Sequence, residues 1–403
     1  MSEQIEKVKN EEKEGYKKYG LKDNPFPKGG AILKPESDDP RENGKIFSVD
    51  ARKKEINEFE EKFIGKNTSF DDRIRCGFLW AEGDRTTGRG MGKTALAVCM
   101  KHKINDGYGK TYFEGKIKFF CSYVSFKQQL KSRVVFLYKE ALRSFIKDGL
   151  FSHISSCVSK DALVNAGVQE DFAEAVASNR VKDYLESLSR YKLEEMSTAW
   201  DQKFLVKLPD LFLNQTVRCL KVAGFKGGIL LIDDIENLTD ISTRAEIENF
   251  IKDFGIAFFR AGNEASNSNF FTIIITTHQQ SAQKISQAWT VAGLSASFPL
   301  APGGHASVLT RKPDNIQCLD MIKQYLKYYR DPSFTLPDEF YPFKRDAIET
   351  VIQDCDFHPR RFLSWLCRIT TEALNKDKNE ITAEFVRTVR KLEEEEAPGI
   401  EEL

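Results

Sequence analysis

Apolar residues in this chain are concentrated in short runs that alternate with longer stretches of helical periodicity. The runs are rich in β-branched and aromatic residues and are bounded by glycine or polar residues, which is typical of strands. They cover residues 77–81, 116–126, 227–232, 270–277 and 295–300. A run that is apolar throughout predicts a strand buried on both faces, and such strands belong to parallel sheets covered by helices. The pattern therefore predicts an α/β fold with a parallel five-stranded sheet.

Two regions show helical periodicity with no strand between the helices. The first predicts a helical insertion at 127–222, with helices over 134–145, 172–188 and 204–222. The second follows a proline- and glycine-rich hinge at 301–304 and predicts helices over 316–329, 338–355, 359–374 and 383–396. We therefore expect a charged N-terminal arm and extended loop at 1–44, an α/β core at 45–304 that contains the insertion, and a helical domain at 305–403.

Composition limits the classes of partner and the cellular compartment that we expect for this protein. Lys and Arg number 60, as do Asp and Glu, so the formal net charge is zero and no global basic field favours nucleic acid. The eight cysteines include no C-x-x-C pair, which argues against a zinc site or a disulfide framework, and we interpret Cys76, Cys99 and Cys219 as small core residues. No apolar run is long enough to span a membrane, and no secretory leader pattern is present. We therefore expect a cytoplasmic protein.

The strongest chemical signal is the segment 88–94, which reads Gly-Arg-Gly-Met-Gly-Lys-Thr between a predicted strand and a predicted helix. This order is typical of a phosphate-binding loop, because glycines let backbone N–H groups turn toward an anion and the helix N-terminus adds its positive dipole end. We expect Lys93 at the β- and γ-phosphates and Thr94 as a Mg²⁺ ligand. The residues expected to contact the nucleotide here are Gly88, Gly90, Gly92, Lys93, Thr94 and Ala95.

The loop departs from the strict pattern, which has a glycine five residues before Gly92. Thr87 stands at that position, and we interpret 84–87 as an insertion in the loop. The alternative is a chance Gly-Lys-Thr in a surface turn. The strand before the loop and the helix after it favour phosphate binding.

Polar residues end two further predicted strands. Asp233 and Asp234 follow the run 227–232, and an acidic residue at the carboxyl end of a parallel strand lies at the ligand-binding edge of the sheet. We expect Asp233 to coordinate Mg²⁺ through water and Asp234 to polarise the attacking water. Thr276 is expected to hydrogen-bond the γ-phosphate or that water. The alternative is that Thr276 and Thr277 merely leave the sheet and begin a turn.

Basic residues cluster at the start of the predicted insertion. Such a cluster could contact DNA or RNA phosphates, although a solvated helix face is the interpretation we favour. The cluster consists of Lys127, Lys131, Arg133, Lys139, Arg143 and Lys147.

The motifs, taken in order, resemble those of the AAA+ ATPases, in particular the branch of origin-recognition, transposition-regulator and secretion-associated ATPases. The opening Tyr19-Gly20-Leu21, with Asn24-Pro25-Phe26, looks like the Y-G-L-x-x-N-P-F of that branch. Segment 46–56 is similar to the family's adenine-clasping segment, 88–94 to Walker A, 229–234 to Walker B and Thr276 to sensor 1. The resemblance covers roughly residues 19–376. It implies a P-loop NTPase (AAA+) sheet, ATP and Mg²⁺ as cofactors, adenine contacts from Phe47 and Val49, and a nucleotide-dependent oligomer.

The run 356–363 looks like the family's sensor 2 motif at the start of a lid helix, which makes 305–403 a helical lid and implies that Arg360 contacts the γ-phosphate. His358 stands where the family usually has a small residue, and we expect a surface histidine there rather than a ligand. The family's arginine finger follows sensor 1, but this chain has no arginine between Arg260 and Arg311. Either Arg260 or Arg244 supplies the finger, or hydrolysis is slow and the protein is a nucleotide switch.

Two functions follow as hypotheses. The resemblance favours an ATPase that regulates a DNA transaction such as transposition, replication or mobile-element defence. The neutral charge favours a signalling or scaffold ATPase that assembles with a protein partner, for which the insertion 127–222 is the expected surface. A small-molecule kinase is disfavoured, because such kinases rarely place a sensor-like Pro-Arg helix in a separate C-terminal domain.

Overall fold

The structure of the chain, a computed structural model, describes the greater part of its 403 residues. The described residues are 13–28, 37, 39–65, 72–81, 88, 90–108, 118–126, 134–189, 192, 202–235, 237–238, 243–260 and 270–396, and among them the side chains of 202–203, 260 and 393–396 are not described. The predicted loop insertion at 84–87 and the basic residues at 127, 131 and 133 lie outside this description.

A five-stranded sheet organises the fold. Its strands are β1 (Cys76–Ala81), β2 (Lys118–Ser125), β3 (Phe225–Asp233), β4 (Phe271–Thr277) and β5 (Ser307–Thr310). Their order across the sheet is β2-β3-β4-β1-β5, and β2 with β3, β3 with β4, and β4 with β1 each pair in parallel. The predicted parallel five-stranded α/β fold is confirmed.

The last strand is not where the sequence pattern places it. Segment 295–300 is irregular, because its backbone bonds to the preceding helical region: Phe298 N–H donates to the Leu294 carbonyl at 2.8 Å, and Trp289 Nε1 donates to the Phe298 carbonyl at 2.8 Å. Pro299 also lacks the N–H that a sheet ladder needs. The prediction of a strand at 295–300 is wrong, and β5 forms at Ser307–Thr310 instead.

Helices fill most of the remaining described chain. In order they are α1 (Lys53–Phe59), α2 (Lys93–Lys103), α3 (Val134–Lys147), α4 (Leu150–Cys157), α5 (Lys160–Asn165), α6 (Glu170–Ala177), α7 (Val181–Ser189), α8 (Gln202–Pro209), α9 (Val217–Val222), α10 (Arg244–Gly255), α11 (Gln279–Val291), α12 (Asn315–Tyr329), α13 (Arg345–Asp354), α14 (Pro359–Asn375) and α15 (Ala383–Glu396). Wider π-type turns continue α1 to Ile64, α2 to Tyr108 and α10 to Arg260, and one at Asp210–Thr216 joins α8 to α9.

The chain divides into two compact units. The first comprises Met1–Ile56, Thr87–Cys99 and Thr310–Leu403, and the second comprises Asn57–Thr86 and Met100–Leu309. The predicted domain boundaries at 44/45 and 304/305 stay a prediction.

The second unit is built around an aromatic core on the sheet. Phe120 of β2 packs edge-on against Phe145 of α3 with ring centroids 5.1 Å apart, and Phe212 stacks on Phe271 of β4 at 5.1 Å. All four rings belong to one continuous buried cluster, which also takes in residues of α4 to α9. The described helices of 134–222 therefore share the core of the sheet, and this burial of aromatic surface holds them there.

The first unit buries the N-terminal motif among the C-terminal helices. Tyr19 is fully buried and its hydroxyl donates to the Lys378 carbonyl at 2.6 Å, while Asn24 Nδ2 donates to the Cys367 carbonyl at 2.9 Å. Phe26 packs edge-on against Phe343 at 6.0 Å. Gly20 has a positive φ of 64°, and a Cβ there would lie 2.3 Å from the Phe334 ring. The Y-G-L-x-x-N-P-F residues therefore anchor the N-terminal segment to the C-terminal helices.

The cysteines behave as small apolar residues. Cys76, Cys99 and Cys219 are buried, as the sequence predicts. Burial raises the pKa of the Cys219 thiol to about 12, so this thiol stays protonated at neutral pH.

Candidate nucleotide-binding residues

The loop before α2 has the backbone of an anion-binding turn. Gly90 and Gly92 both adopt positive φ angles, 85° and 97°, which L-residues with a Cβ rarely adopt. Gly92 accepts the first helical hydrogen bond, from Leu96 N–H at 2.8 Å, so Lys93, Thr94 and Ala95 form the first turn of α2. The N–H groups of a first helical turn lack partners within the helix, and they are therefore available to an anion.

Lys93 is the most informative side chain of the loop. It is only 7% exposed, and within the described part of the chain its Nζ has a single partner, the Gly88 carbonyl oxygen at 3.5 Å. A buried ammonium group is normally paired with a negative charge, because its loss of hydration is otherwise uncompensated. One long hydrogen bond to a neutral carbonyl does not supply that charge. The surroundings of Lys93 thus suit an anionic ligand.

The N-terminus of α14 packs directly against this loop. A Cβ placed on Gly90 would lie 2.5 Å from Arg360 Cβ and 2.8 Å from His358 Cε1. Only a glycine fits at position 90, since both its φ and its surroundings exclude a side chain. The fold thus brings the predicted sensor 2 residue Arg360 to the phosphate loop.

The burial of His358 differs from the prediction. The sequence predicts a surface histidine, but His358 is buried and lies against Gly90. The prediction of a surface position is wrong because the start of α14 is covered by the loop. Nearby, Lys312 forms an ion pair with Asp356 at 2.5 Å, and this pair holds the pKa of the Asp356 carboxyl below its usual range.

Arg52 and Glu55, which the sequence analysis did not single out, form a second set of contacts to the loop. Arg52 Nη2 donates to the Met91 carbonyl at 2.8 Å, and its Nη1 donates to the Arg311 carbonyl at 2.7 Å and to Glu55 Oε1 at 3.1 Å. Both side chains are buried. In the sequence they are two of the five charged residues of segment 46–56, so no local signal singled them out.

The predicted adenine contacts lie in the same segment. Ile46 is buried in the core of the first unit, Phe47 is half-buried and Val49 is 43% exposed. Phe47 and Val49 are therefore not fully buried, and they have apolar surface that a ligand can contact. Their contact with adenine stays a prediction.

In the second unit, the two carboxylates at the end of β3 are held by hydroxyl groups. Asp233 is 2% exposed, and it accepts hydrogen bonds from Tyr123 Oη at 2.5 Å and from Thr276 Oγ1. Asp234 accepts from Ser125 Oγ at 3.3 Å, and its N–H donates to Thr276 Oγ1 at 3.2 Å. Asp234 has a φ of 59°, an uncommon conformation for a non-glycine residue. Thr276 thus holds the Asp233 carboxylate and the backbone of Asp234.

The proton of Thr276 limits what this residue can do. A hydroxyl has one proton, and that of Thr276 goes to Asp233. In this arrangement Thr276 can accept a hydrogen bond from water but cannot donate one to a phosphate. Its expected contact with the γ-phosphate or with the attacking water stays a prediction, and the geometry favours the water.

The carboxylates also suit a Mg²⁺ ion. Each carboxylate oxygen can accept about two hydrogen bonds or ligand contacts, so Asp233 retains capacity beyond its two hydroxyl partners. Mg²⁺ prefers oxygen ligands and is typically held by one or two protein groups together with substrate phosphates. Asp233 and the half-buried hydroxyl residue Thr94 have the required chemistry. Within the described residues, no group of three or more His, Cys, Asp or Glu side chains forms a separate metal cage.

The basic helix α3 does not present the surface that its sequence suggests. Lys139 is 3% exposed and Arg143 is 9% exposed, and Arg143 Nη1 pairs with Glu140 Oε2 at 3.3 Å. Only Lys147, at the end of α3, is exposed among the described cations of the cluster. The favoured interpretation of a solvated face is wrong for Lys139 and Arg143, and the same burial removes them from a DNA-binding surface.

The structure describes the side chain of only one of the two candidate arginine fingers, Arg244. Arg244 opens α10 and forms an exposed ion pair with Glu248 at 2.9 Å. The side chain of Arg260 lies outside the described part of the chain. The source of any finger stays open.

Comparison with known proteins adds distant similarities. No family model matches the chain, and no curated protein matches it. Among solved structures, it is similar to the ORC2 protein of Aeropyrum pernix in its ADPNP–ADP complexes, with a TM-score of 0.48 and 11% identity over 92% of this chain and 71% of that chain. The ADP form of the same protein gives a TM-score of 0.47 and 10% identity over 89% and 69%. Similarity at this distance assigns no function.

No helix in the described ranges has the length and apolar character needed to cross a membrane.

Proposed function

We propose that this chain is an ATP-binding, Mg²⁺-dependent ATPase of the AAA+ type. The observation that supports the proposal best is Lys93, a buried ammonium at the start of α2. It follows two glycines with positive φ and has one long hydrogen bond among the residues that the structure describes. A nucleotide triphosphate would supply the missing negative charge, and the loop N–H groups would bind its oxygens. The motif order in the sequence points to the same ligand.

Hydrolysis would rest on positioning and charge neutralisation, as in other phosphoryl transfers. Lys93 would bind the β- and γ-phosphates, and Thr94 and Asp233 would hold Mg²⁺, which neutralises phosphate charge. Asp234 would orient the attacking water and accept its proton. Thr276 would fix the Asp233 carboxylate and the Asp234 backbone and accept a hydrogen bond from that water. Arg360 would contact the γ-phosphate from the lid, and Phe47 and Val49 would contact the base.

We infer that the ATPase regulates a DNA transaction and assembles into a nucleotide-dependent oligomer. The resemblance of the motifs to the origin-recognition and transposition-regulator branch supports this assignment. A scaffold ATPase with a protein partner on 127–222 is the second candidate. The zero net charge and the burial of Lys139 and Arg143 favour it.

Phosphate release tests the ATPase assignment. We expect Lys93→Ala to abolish turnover, while the control Lys101→Ala keeps it. Lys101 is a second lysine of α2, and its Nζ pairs with Asp148 at 2.6 Å. Equal turnover in wild type and Lys93→Ala would contradict the proposal.

Duplex DNA binding separates the two candidate functions. A DNA regulator should bind a labelled duplex with an affinity that falls steeply between 50 and 200 mM salt, on the order of 10³-fold for several phosphate contacts. Fluorescence anisotropy with ATP present measures this. No binding at low salt would refute the DNA role and leave the scaffold function.

A further inference from the structure

Arg52 connects three separate stretches of the first unit. Its guanidinium donates to Glu55 Oε1, to the Arg311 carbonyl and to the Met91 carbonyl, at 3.1, 2.7 and 2.8 Å. The residue is 3% exposed, and Arg311 N–H also donates to Glu55 Oε1 at 3.4 Å. The rigid planar fork of an arginine can make such divergent contacts, whereas a lysine is a point donor on a flexible stem.

The hydrogen bond from Arg52 to the Met91 carbonyl fixes the orientation of the peptide group between Met91 and Gly92, which is part of the phosphate loop. The Met91–Gly92 peptide is planar and trans, so its C=O and N–H point in opposite directions. Because Arg52 holds the carbonyl, the Gly92 N–H is directed away from Arg52. Gly92 has a φ of 97° and immediately precedes Lys93. Without a side chain or a fixed neighbour, this peptide could rotate and turn its carbonyl toward an incoming phosphate.

The charge of Arg52 is already matched. Glu55 lies 3.1 Å away with 4% of its side chain exposed, so the pair is buried. Arg52 therefore acts as a fixed support for the loop, in contrast to an arginine that reaches a phosphate from solvent. A buried pair of this kind is costly to break by removing one partner and is often replaceable by apolar residues of similar size.

We propose that Arg52 is a positioning residue for phosphate binding, which holds the Met91 carbonyl so that the Gly92 N–H points into the phosphate site. Glu55 fixes the guanidinium in that orientation. This inference rests on the proposed ATP binding and adds to it a residue outside the phosphate-loop motif.

The test uses the one Met-Gly pair in the chain. Labelling methionine with ¹³C at the carbonyl and glycine with ¹⁵N gives a single amide signal in a carbonyl-selected NMR experiment, that of Gly92, because Met91 is the only methionine followed by a glycine. The variants are Arg52→Met and the double variant R52M/E55M, which leaves no unpaired buried charge. Arg330→Met is the matched control, since Arg330 Nη1 holds the Tyr19 carbonyl at 2.9 Å in the same unit.

In the wild type, ATP with Mg²⁺ should shift the Gly92 signal. In Arg52→Met and R52M/E55M we expect the signal to be displaced or broadened before ATP is added, and the ATP affinity to fall at least about tenfold, as for the loss of a charge-assisted hydrogen bond. Arg330→Met should keep the wild-type signal and affinity even if its melting temperature falls.

Two results would overturn the inference. If both Arg52 variants keep the Gly92 signal and the ATP affinity of the wild type, then Arg52 has no positioning role, although the proposed function stands. If the wild type itself binds no ATP, the proposed function fails and this inference fails with it. Should Arg52→Met alone not fold, R52M/E55M decides the question.

Discussion

The close approach of Arg360 to Gly90 gives a prediction with a built-in control. Gly90→Ala places a methyl group 2.5 Å from Arg360 Cβ and 2.8 Å from His358 Cε1. Such distances require the start of α14 to move. The same substitution at Gly224, which has a φ of 86° and open space around it, has the same backbone cost and no collision.

The magnitude follows from two contributions. An L-residue at this φ costs about 1–2 kcal/mol in either variant. Overpacking adds about 1–3 kcal/mol for Gly90→Ala alone. The loss of unfolded-state entropy from Gly→Ala is common to both variants and cancels in the comparison. We therefore expect Gly90→Ala to lower the free energy of unfolding by about 1–3 kcal/mol more than Gly224→Ala does.

Urea denaturation of the two variants measures this difference, and an ATP titration should show weaker binding for Gly90→Ala only. Losses of stability that agree within about 0.5 kcal/mol in the two variants would refute the predicted collision, since the effects of substitutions at distant sites can be compared to that precision. Equal stability would mean that α14 does not pack on the loop in solution.

Three further predictions concern the site chemistry. Asp234→Asn should keep MgATP binding while turnover falls by about 10²–10⁴, the usual contribution of a general base, and equal losses in titration and phosphate release would instead make Asp234 a metal ligand. Thr276→Val should weaken the Mg²⁺ dependence of ATP binding and lower the free energy of unfolding by about 1–3 kcal/mol, because it removes the buried hydrogen bond that Thr276 donates to Asp233 and the one that it accepts from the Asp234 N–H. Thr276→Ser should retain both properties, and a Thr276→Val protein identical to wild type would exclude this role of the hydroxyl. The usual finger position lacks an arginine, and an arginine finger contributes ~10³–10⁵ in rate where it is used. The isolated protein should therefore hydrolyse ATP slowly, and its turnover should rise with protein concentration or with duplex DNA. Fast turnover by dilute monomer would contradict the need for assembly.

The sequence pattern predicted the strands that are continuous apolar runs and missed the short one. β1, β3 and β4 are buried along nearly their whole length and β2 at five of its eight residues, so their composition marks them. β5 has only four residues, Ser307–Thr310, and a run that short carries little periodicity. Segment 295–300, which precedes it, is more apolar, and the predicted strand was therefore placed there.

The predicted helices formed except where local backbone chemistry interrupted them, but α4 (Leu150–Cys157) and α5 (Lys160–Asn165) were not predicted. The predicted helix 172–188 is two helices, because the chain turns at Asn179 with a φ of 55°. The predicted helix 338–355 begins only at Arg345, since Pro342 cannot occupy a helix interior.

The candidate site was predictable where it is local in sequence. Gly90, Gly92 and Lys93 lie within one short motif, and the structure gives them the expected backbone. Arg52 was not predictable, because its partner Met91 is 39 residues away along the chain. The buried state of His358 likewise depends on a contact between distant segments.

The central claim is that the loop at Lys93 binds the phosphates of ATP, and isothermal titration of MgATP tests it most directly. We predict measurable ATP binding by the wild type and by Lys101→Ala, and an affinity at least roughly tenfold lower for Lys93→Ala, equivalent to about 1.4 kcal/mol. Equal affinity in all three proteins, or no binding by the wild type, would contradict the account.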